Sequence, residues 1–181
     1  MHARRFLDEA AAICAKIDHD AIDRLAARLS VVKKVYIIGL GGSLANAIHM
    51  AADLRKLCEV DAEAFDNIAE LTARANDEGM ATIFSGWLSR ATKDDAIIVL
   101  SVGGGTPGVS PSIVRAVRSF PGAIFGITGP DGGYTKERAE ICIRVPVENP
   151  KHVTPHTEAF QAVTWHCLVS HPLLQKNPTK W

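Results

Sequence analysis

Two short apolar runs end in glycine and then pass into helical sequence: Lys34-Val-Tyr-Ile-Ile-Gly-Leu-Gly-Gly-Ser43, and Ala96-Ile-Ile-Val-Leu-Ser-Val-Gly-Gly-Gly-Thr-Pro107. A chain that repeats strand, glycine turn and helix is driven towards a parallel sheet, because parallel neighbours need a long crossover connection. Apolar runs near 35–39, 61–65, 96–101, 123–127 and 141–146 continue the pattern, with helical stretches between them. Asp94-Asp95 before the third run and Gly129-Pro-Asp-Gly-Gly133 after the fourth supply turn residues at the boundaries. The spacing predicts an α/β fold whose five-stranded parallel sheet is covered by helices on both faces.

Ahead of this repeat, Phe6, Ala10, Ile13, Cys14 and Ile17, then Ile22, Leu25, Ala26 and Leu29, recur at helical spacing, with a break near His19-Asp20. Residues 1–30 are therefore expected to form a helical hairpin or kinked helix whose apolar stripe packs on the sheet or on another subunit. The last helix is predicted over 155–170, and residues 175–181 as a surface extension. No repeat or linker divides the 181 residues, so a single domain over 1–181 is expected.

Twenty basic and twenty acidic side chains leave no net charge to recruit nucleic acid or an anionic membrane. No run of eighteen apolar residues appears, and the first residues lead into Asp8 and Glu9 rather than an apolar signal core, which makes the cytoplasm the expected location. Cys14, Cys58, Cys142 and Cys167 fall in apolar periodic segments without close pairing, a pattern of reduced core thiols.

The glycine turns carry the first chemical signal. Gly41 and Gly42 permit close backbone approach, Ser43 is placed to cap the following helix, and the free amides there suit a phosphate. In the second loop Thr106-Pro107 reads as a helix start, with Ser101, Thr106 and the amides around Gly103 able to surround the same anion. Both loops belong at the carboxyl ends of strands, beside the switch point of an open sheet.

His49 and Asp53 stand four apart on one helix face, and Glu158 and His166 stand eight apart on the last helix. Two imidazoles and two carboxylates from two helices form a candidate zinc set. Asn76-Asp77 reads locally as a polar turn, and the spacing of His152, His156 and His171 singles none of them out.

Taken in order, Gly39-Leu-Gly-Gly-Ser43, His49-Met-Ala-Ala-Asp53, Ala75-Asn-Asp77, Leu100-Ser-Val-Gly-Gly-Gly-Thr106, Thr128-Gly-Pro-Asp-Gly-Gly133, Arg144-Val-Pro146 and the stretch from Glu158 to His166 resemble the sugar isomerase (SIS) domain family, and within it the phosphoheptose isomerases. The resemblance spans almost the whole chain. It implies a flavodoxin-like three-layer fold, a homotetramer with sites between subunits, and interconversion of sedoheptulose 7-phosphate and D-glycero-D-manno-heptose 7-phosphate. It also implies phosphate binding by Ser43, Ser101, Thr106 and the Gly103 backbone, and sugar contacts from Asn76 and Asp77. Zinc would be held by His49, Asp53, Glu158 and His166, with Asp53 at the position of the base and His166 at that of the acid.

This chain departs from the family pattern at several of these places. Asp53 stands where Glu is usual and Glu158 where Gln is usual. Leu40 replaces an Asn, and Val102 and Gly103 replace hydroxyl residues in the phosphate loop. Through these departures the resemblance also implies a second reading, an SIS protein that binds a sugar phosphate, or a protein partner such as a replication initiator, without turnover; the glycine spacing itself leaves a third, a dinucleotide-binding dehydrogenase using Asp61 or Glu63 for the ribose.

Overall fold

The computed structural model describes residues 1–180. Its five strands, β1 (Val35–Ile38), β2 (Ala62–Ala64), β3 (Ala96–Ser101), β4 (Ala123–Thr128) and β5 (Ile141–Arg144), form one sheet in the order β2-β1-β3-β4-β5. Every pairing is parallel. Because β1 has β2 on one side and β3 on the other, the chain reverses its direction of travel across the sheet between β1 and β3. The two glycine loops leave the carboxyl ends of those two strands, and so flank the switch point.

All residues of β1 and β3 are buried, and alternate side chains serve opposite faces. Val35, Ile37, Ile98, Leu100, Phe125 and Ile127 enter one core with α2 (His19–Leu29), α3 (Gly42–Cys58) and α8 (Val153–Val169). Tyr36, Ile38, Ile97, Val99 and Ile124 enter the other, beneath α5 (Ile83–Trp87) and α6 (Pro111–Ser119). The helices α4 (Ile68–Asp77) and α7 (Gly133–Arg138) flank that second face, and α1 (His2–Lys16) joins the first core through the fully buried Ile13. The expected three-layer, five-stranded α/β fold with leading helices is present.

The boundaries show where local chemistry was read one step off. Residues 1–30 form two helices, and the break falls at Ile17-Asp18, where the Asp18 carboxylate accepts from the Ala21 amide and caps α2. Thr106-Pro107 does not start a helix. The Thr106 carbonyl closes a turn with the Val109 and Ser110 amides, and α6 begins four residues later at Pro111, where Ser110-Pro111 repeats the hydroxyl-proline pair. Ser43 does not cap α3 either: Gly41, at φ +60°, is the capping residue, and Ser43 is buried inside the first turn.

α8 begins at Val153 rather than 155, because a proline in the first turn, here Pro155, gives up an amide that had no helical partner. The tail is less free than a surface extension: Leu174 is buried, and the Lys176 and Asn177 amides both donate to the Leu57 carbonyl near the end of α3. Residue 181 of that predicted extension lies outside the described residues. All four cysteines are free thiols, as expected, but Cys14 and Cys167 are exposed and only Cys58 is fully buried. Burial pushes the Cys58 thiol up to about 11, which makes it an inert core group. Among the described residues no helix is long and apolar enough to cross a membrane.

Candidate active site

α3 and α8 both start at the glycine-loop end of the sheet and run side by side. Gly42, Asn46, His49 and Asp53 share the face of α3 that meets α8. Near the amino end, a methyl added at Gly42 would meet the Glu158 carboxylate oxygens at 2.5 and 2.8 Å. One turn on, the Asn46 side-chain amide donates to the Glu158 carbonyl at 2.9 Å and to Gln161 at 3.3 Å. Gln161 is fully buried and donates in turn to the Ile127 carbonyl, which anchors the seam to the sheet.

The far end of the seam gathers the chemistry. His49, Asp53 and His166 bring their ligating atoms within 4.8 Å of one another. His49 Nε2 lies 3.6 Å from Asp53 Oδ2, and the two imidazole rings stand 5.5 Å apart at right angles. Trp165, fully buried, stacks on His166 at 3.5 Å and meets His49 edge-on at 4.6 Å, so one indole holds both rings. His166 Nδ1 lies 2.8 Å from the Ala162 carbonyl. A proton on Nδ1 satisfies that carbonyl and leaves Nε2 with a free lone pair for a metal or a proton.

Glu158 is not part of this group. Eight residues on one helix face set two side chains roughly 12 Å apart along the axis. Its carboxylate instead lies over the amino end of α3, where unpaired amides and the helix dipole favour negative charge. The donor set of two imidazoles and one carboxylate is one that zinc accepts.

The second glycine loop is shaped by its own hydroxyl groups. The Ser101 hydroxyl accepts from the Gly104 amide at 3.1 Å, and the Thr106 amide donates to the Ser110 hydroxyl at 3.0 Å, so Ser110 is a loop-shaping residue that the sequence reading missed. Gly103 and Thr106 are exposed and Val102 half-buried at the mouth of the loop, while Gly41 and Gly42 are exposed at the start of α3. Gly104, at φ +64°, presses against the Gly132 backbone, and the Tyr134 and Thr135 amides donate to the Gly105 and Gly104 carbonyls. The first amides of α7 are thus spent on the loop, whereas the amino end of α3 faces the Glu158 carboxylate.

Asn76 and Asp77 occupy the exposed last turn of α4 and hydrogen-bond to each other at 2.8 Å, on the other side of the sheet from the triad. Asp61 and Glu63 both pair with Lys34, which precedes β1, so they are engaged away from the glycine turns. That arrangement gives no support to a ribose-binding role.

A second His/carboxylate group has the same composition and went unnoticed in the sequence. Glu9 of α1 meets His152 and His156 at the amino end of α8. The hydrogen bonds from His152, His156 and Asn149 hold its carboxyl well below the usual range, at about 2. The available signal was the spacing: His152 and His156 stand four apart beside a helix start, as His49 and Asp53 do within α3.

No protein-family model matches the chain. It is 32% identical to the phosphoheptose isomerase of Rhodospirillum rubrum over 162 residues, covering 86% of this chain and 84% of that one. It is 33% identical to the phosphoheptose isomerase of Mycobacterium tuberculosis over 162 residues, covering 83% and 80%. The solved phosphoheptose isomerase from Francisella tularensis superposes with a TM-score of 0.81 at 22% identity, covering 93% of this chain and 94% of that one.

Proposed function

The chain belongs to the phosphoheptose isomerase family of SIS-fold sugar isomerases, and from that premise we propose that it interconverts sedoheptulose 7-phosphate and D-glycero-D-manno-heptose 7-phosphate by proton transfer through an enediol. The observation that carries this reading is the meeting of His49 and Asp53 with His166, from helices far apart in the chain, beneath an anion seat on the same face of α3.

The amides at Gly42 and Ser43, with Ser101, Gly103 and Thr106 across the switch point, bind the phosphate. His49 lies seven residues beyond Gly42, roughly 10 Å along the axis. An extended seven-carbon chain has six C–C bonds of about 1.5 Å and covers a comparable distance, so a phosphate on C7 sets the C1–C2 end beside the triad. Asp53 removes the proton from the carbon next to the carbonyl, and His166 Nε2 carries a proton between the two oxygens. Trp165 keeps the imidazoles from turning away.

His49, Asp53 and His166 would hold zinc, which when bound would take the Nε2 lone pair of His166 in place of the proton and supply Lewis-acid stabilisation of the substrate oxygens. In this reading Glu158 sits at the phosphate end of the seam, and Asn76 and Asp77 contact the sugar only across a subunit boundary. A homotetramer fits the exposed apolar residues Leu7, Ile48 and Val163 around α1 and the seam. Light scattering should give four times the 19.5 kDa chain mass.

The test of the activity is direct. Sedoheptulose 7-phosphate in deuterated buffer should yield an aldose phosphate carrying solvent deuterium on the carbon that was the ketone, followed by NMR. Binding of ketose phosphates with neither product nor deuterium exchange would overturn turnover in favour of a sugar-phosphate-binding protein. Leu40 and Val102, which offer no side-chain hydrogen bond, are the residues that favour that second reading.

A further inference from the structure

The Glu9 group takes no part in the reaction above, yet it is the better enclosed of the two His/carboxylate clusters. We propose that Glu9, His152 and His156 form a second site for a divalent transition ion of the zinc type, separate from the His49 triad and tying α1 to the start of α8.

Glu9 Oε2 lies 2.7 Å from His152 Nδ1 and 3.0 Å from His156 Nε2, so one oxygen and two imidazole nitrogens converge on one point. A tetrahedral zinc ion bound at about 2.0–2.1 Å to each donor keeps the donors roughly 3.3 Å apart, so the two Glu9–imidazole distances would open by only a few tenths of an ångström, and all three donors already lie within 4.8 Å of one another. Two nitrogens and one oxygen suit zinc and its neighbours, whereas magnesium and calcium favour all-oxygen shells. The other carboxylate oxygen, Oε1, accepts from the Asn149 side chain at 2.8 Å, the outer hydrogen bond that fixes a ligating carboxylate.

The rings are held in place. His156 is 3% exposed and stacks on Phe6 at 4.2 Å and 23°, which keeps Nε2 aimed at Glu9. His152 lines a surface cavity of about 400 Å³ together with His2, Arg5 and Asn149, which provides an entry route. The His2 ring stands 5.6 Å from that of His152, so either His2 or water is at hand as a fourth ligand. His156 and His166 are ten residues apart on α8, roughly 15 Å along the axis, so no single ion serves both clusters.

The experiment titrates zinc(II) into chelator-stripped full-length protein by calorimetry and counts retained metal after gel filtration. The H49A/H166A double variant removes two exposed side chains and leaves the Glu9 group as the remaining candidate. It should keep one tightly bound equivalent and gain thermal stability from zinc. Adding Glu9→Gln should weaken that binding at least tenfold, and Asn149→Ala, a milder change should Glu9→Gln fail to fold, should weaken it by about 10–100-fold.

No zinc uptake by H49A/H166A, or uptake unchanged by Glu9→Gln, overturns the proposal. The outcome is separable from the isomerase reading: a chain without turnover whose H49A/H166A variant keeps its zinc refutes the activity alone, and an active chain whose variant loses all zinc refutes this site alone.

Discussion

The molecule holds two clusters of one carboxylate and two imidazoles, and their settings are opposite. In the seam between α3 and α8, His49 is 59% exposed, its carboxylate partner stands off at 3.6 Å, and His166 bonds through Nδ1 to a carbonyl of its own helix. At the junction of α1 and α8, His156 is 3% exposed, both imidazoles hydrogen-bond to one carboxylate oxygen, and Asn149 engages the other. Donor groups left unpaired at a surface contribute little to folding and remain available for chemistry. Donor groups closed upon each other in a buried setting stabilise the fold and are costly to disrupt singly. The same residue types therefore predict opposite mutational signatures.

The largest separation should come from Asp53→Asn. Loss of a general base costs on the order of 10²–10⁴ in kcat, while the urea midpoint should hardly move, since exposed pairs such as His49 with Asp53 contribute about 0–1 kcal/mol. A large stability loss in this variant would erase the distinction between the clusters. The converse variant, His156→Ala, should cost about 1–3 kcal/mol in urea unfolding and leave turnover of the folded fraction unchanged.

A pH series sharpens the closed cluster. The folded-state carboxyl of Glu9 is depressed from 4.5 to about 2, so its contribution to stability is fully present above about 4.5 and is lost as pH falls through about 2. In chelator, urea midpoints of the wild type and Glu9→Gln should therefore differ at neutral pH and converge towards pH 2. A gap that stays constant over that range would show that the carboxylate charge does not matter there.

The smallest expected effect lies in the open seam. Glu158→Gln removes a negative charge from the anion seat on α3, and relief of roughly 1 kcal/mol of repulsion should lower KM for the sugar phosphate by about fivefold with kcat nearly unchanged. An increase in KM would instead mark Glu158 as a direct partner of the substrate.

Much of this was legible in the sequence because it is periodic. Strands buried on both faces read as unbroken apolar runs, helices place His49 and Asp53 on one face, and the order of the motifs carried the family. What was missed depends on three-way meetings. Glu9 lies 143 residues from His152 in the chain, and only the packing of α1 against the start of α8 joins them. Thr106-Pro107 and Ser110-Pro111 present the same local helix-start chemistry, and the choice between them rests on the turn closed by the Thr106 carbonyl. Glu158 was grouped with His166 because a shared face was read as a shared point, and the helical rise separates them.

The hook made by Lys176 and Asn177 on the Leu57 carbonyl has a practical reach beyond the tail itself. Asn177 also donates through its side chain to the Lys56 carbonyl, so the final turn of α3 is held shut from outside its own helix. Asp53 lies just one turn upstream of that clasp. Shortening the protein to residue 174, or loading its carboxyl end with a bulky fusion, would take those bonds from the last turn of α3 and so remove a support next to Asp53, at a distance no inspection of the cleft would suggest.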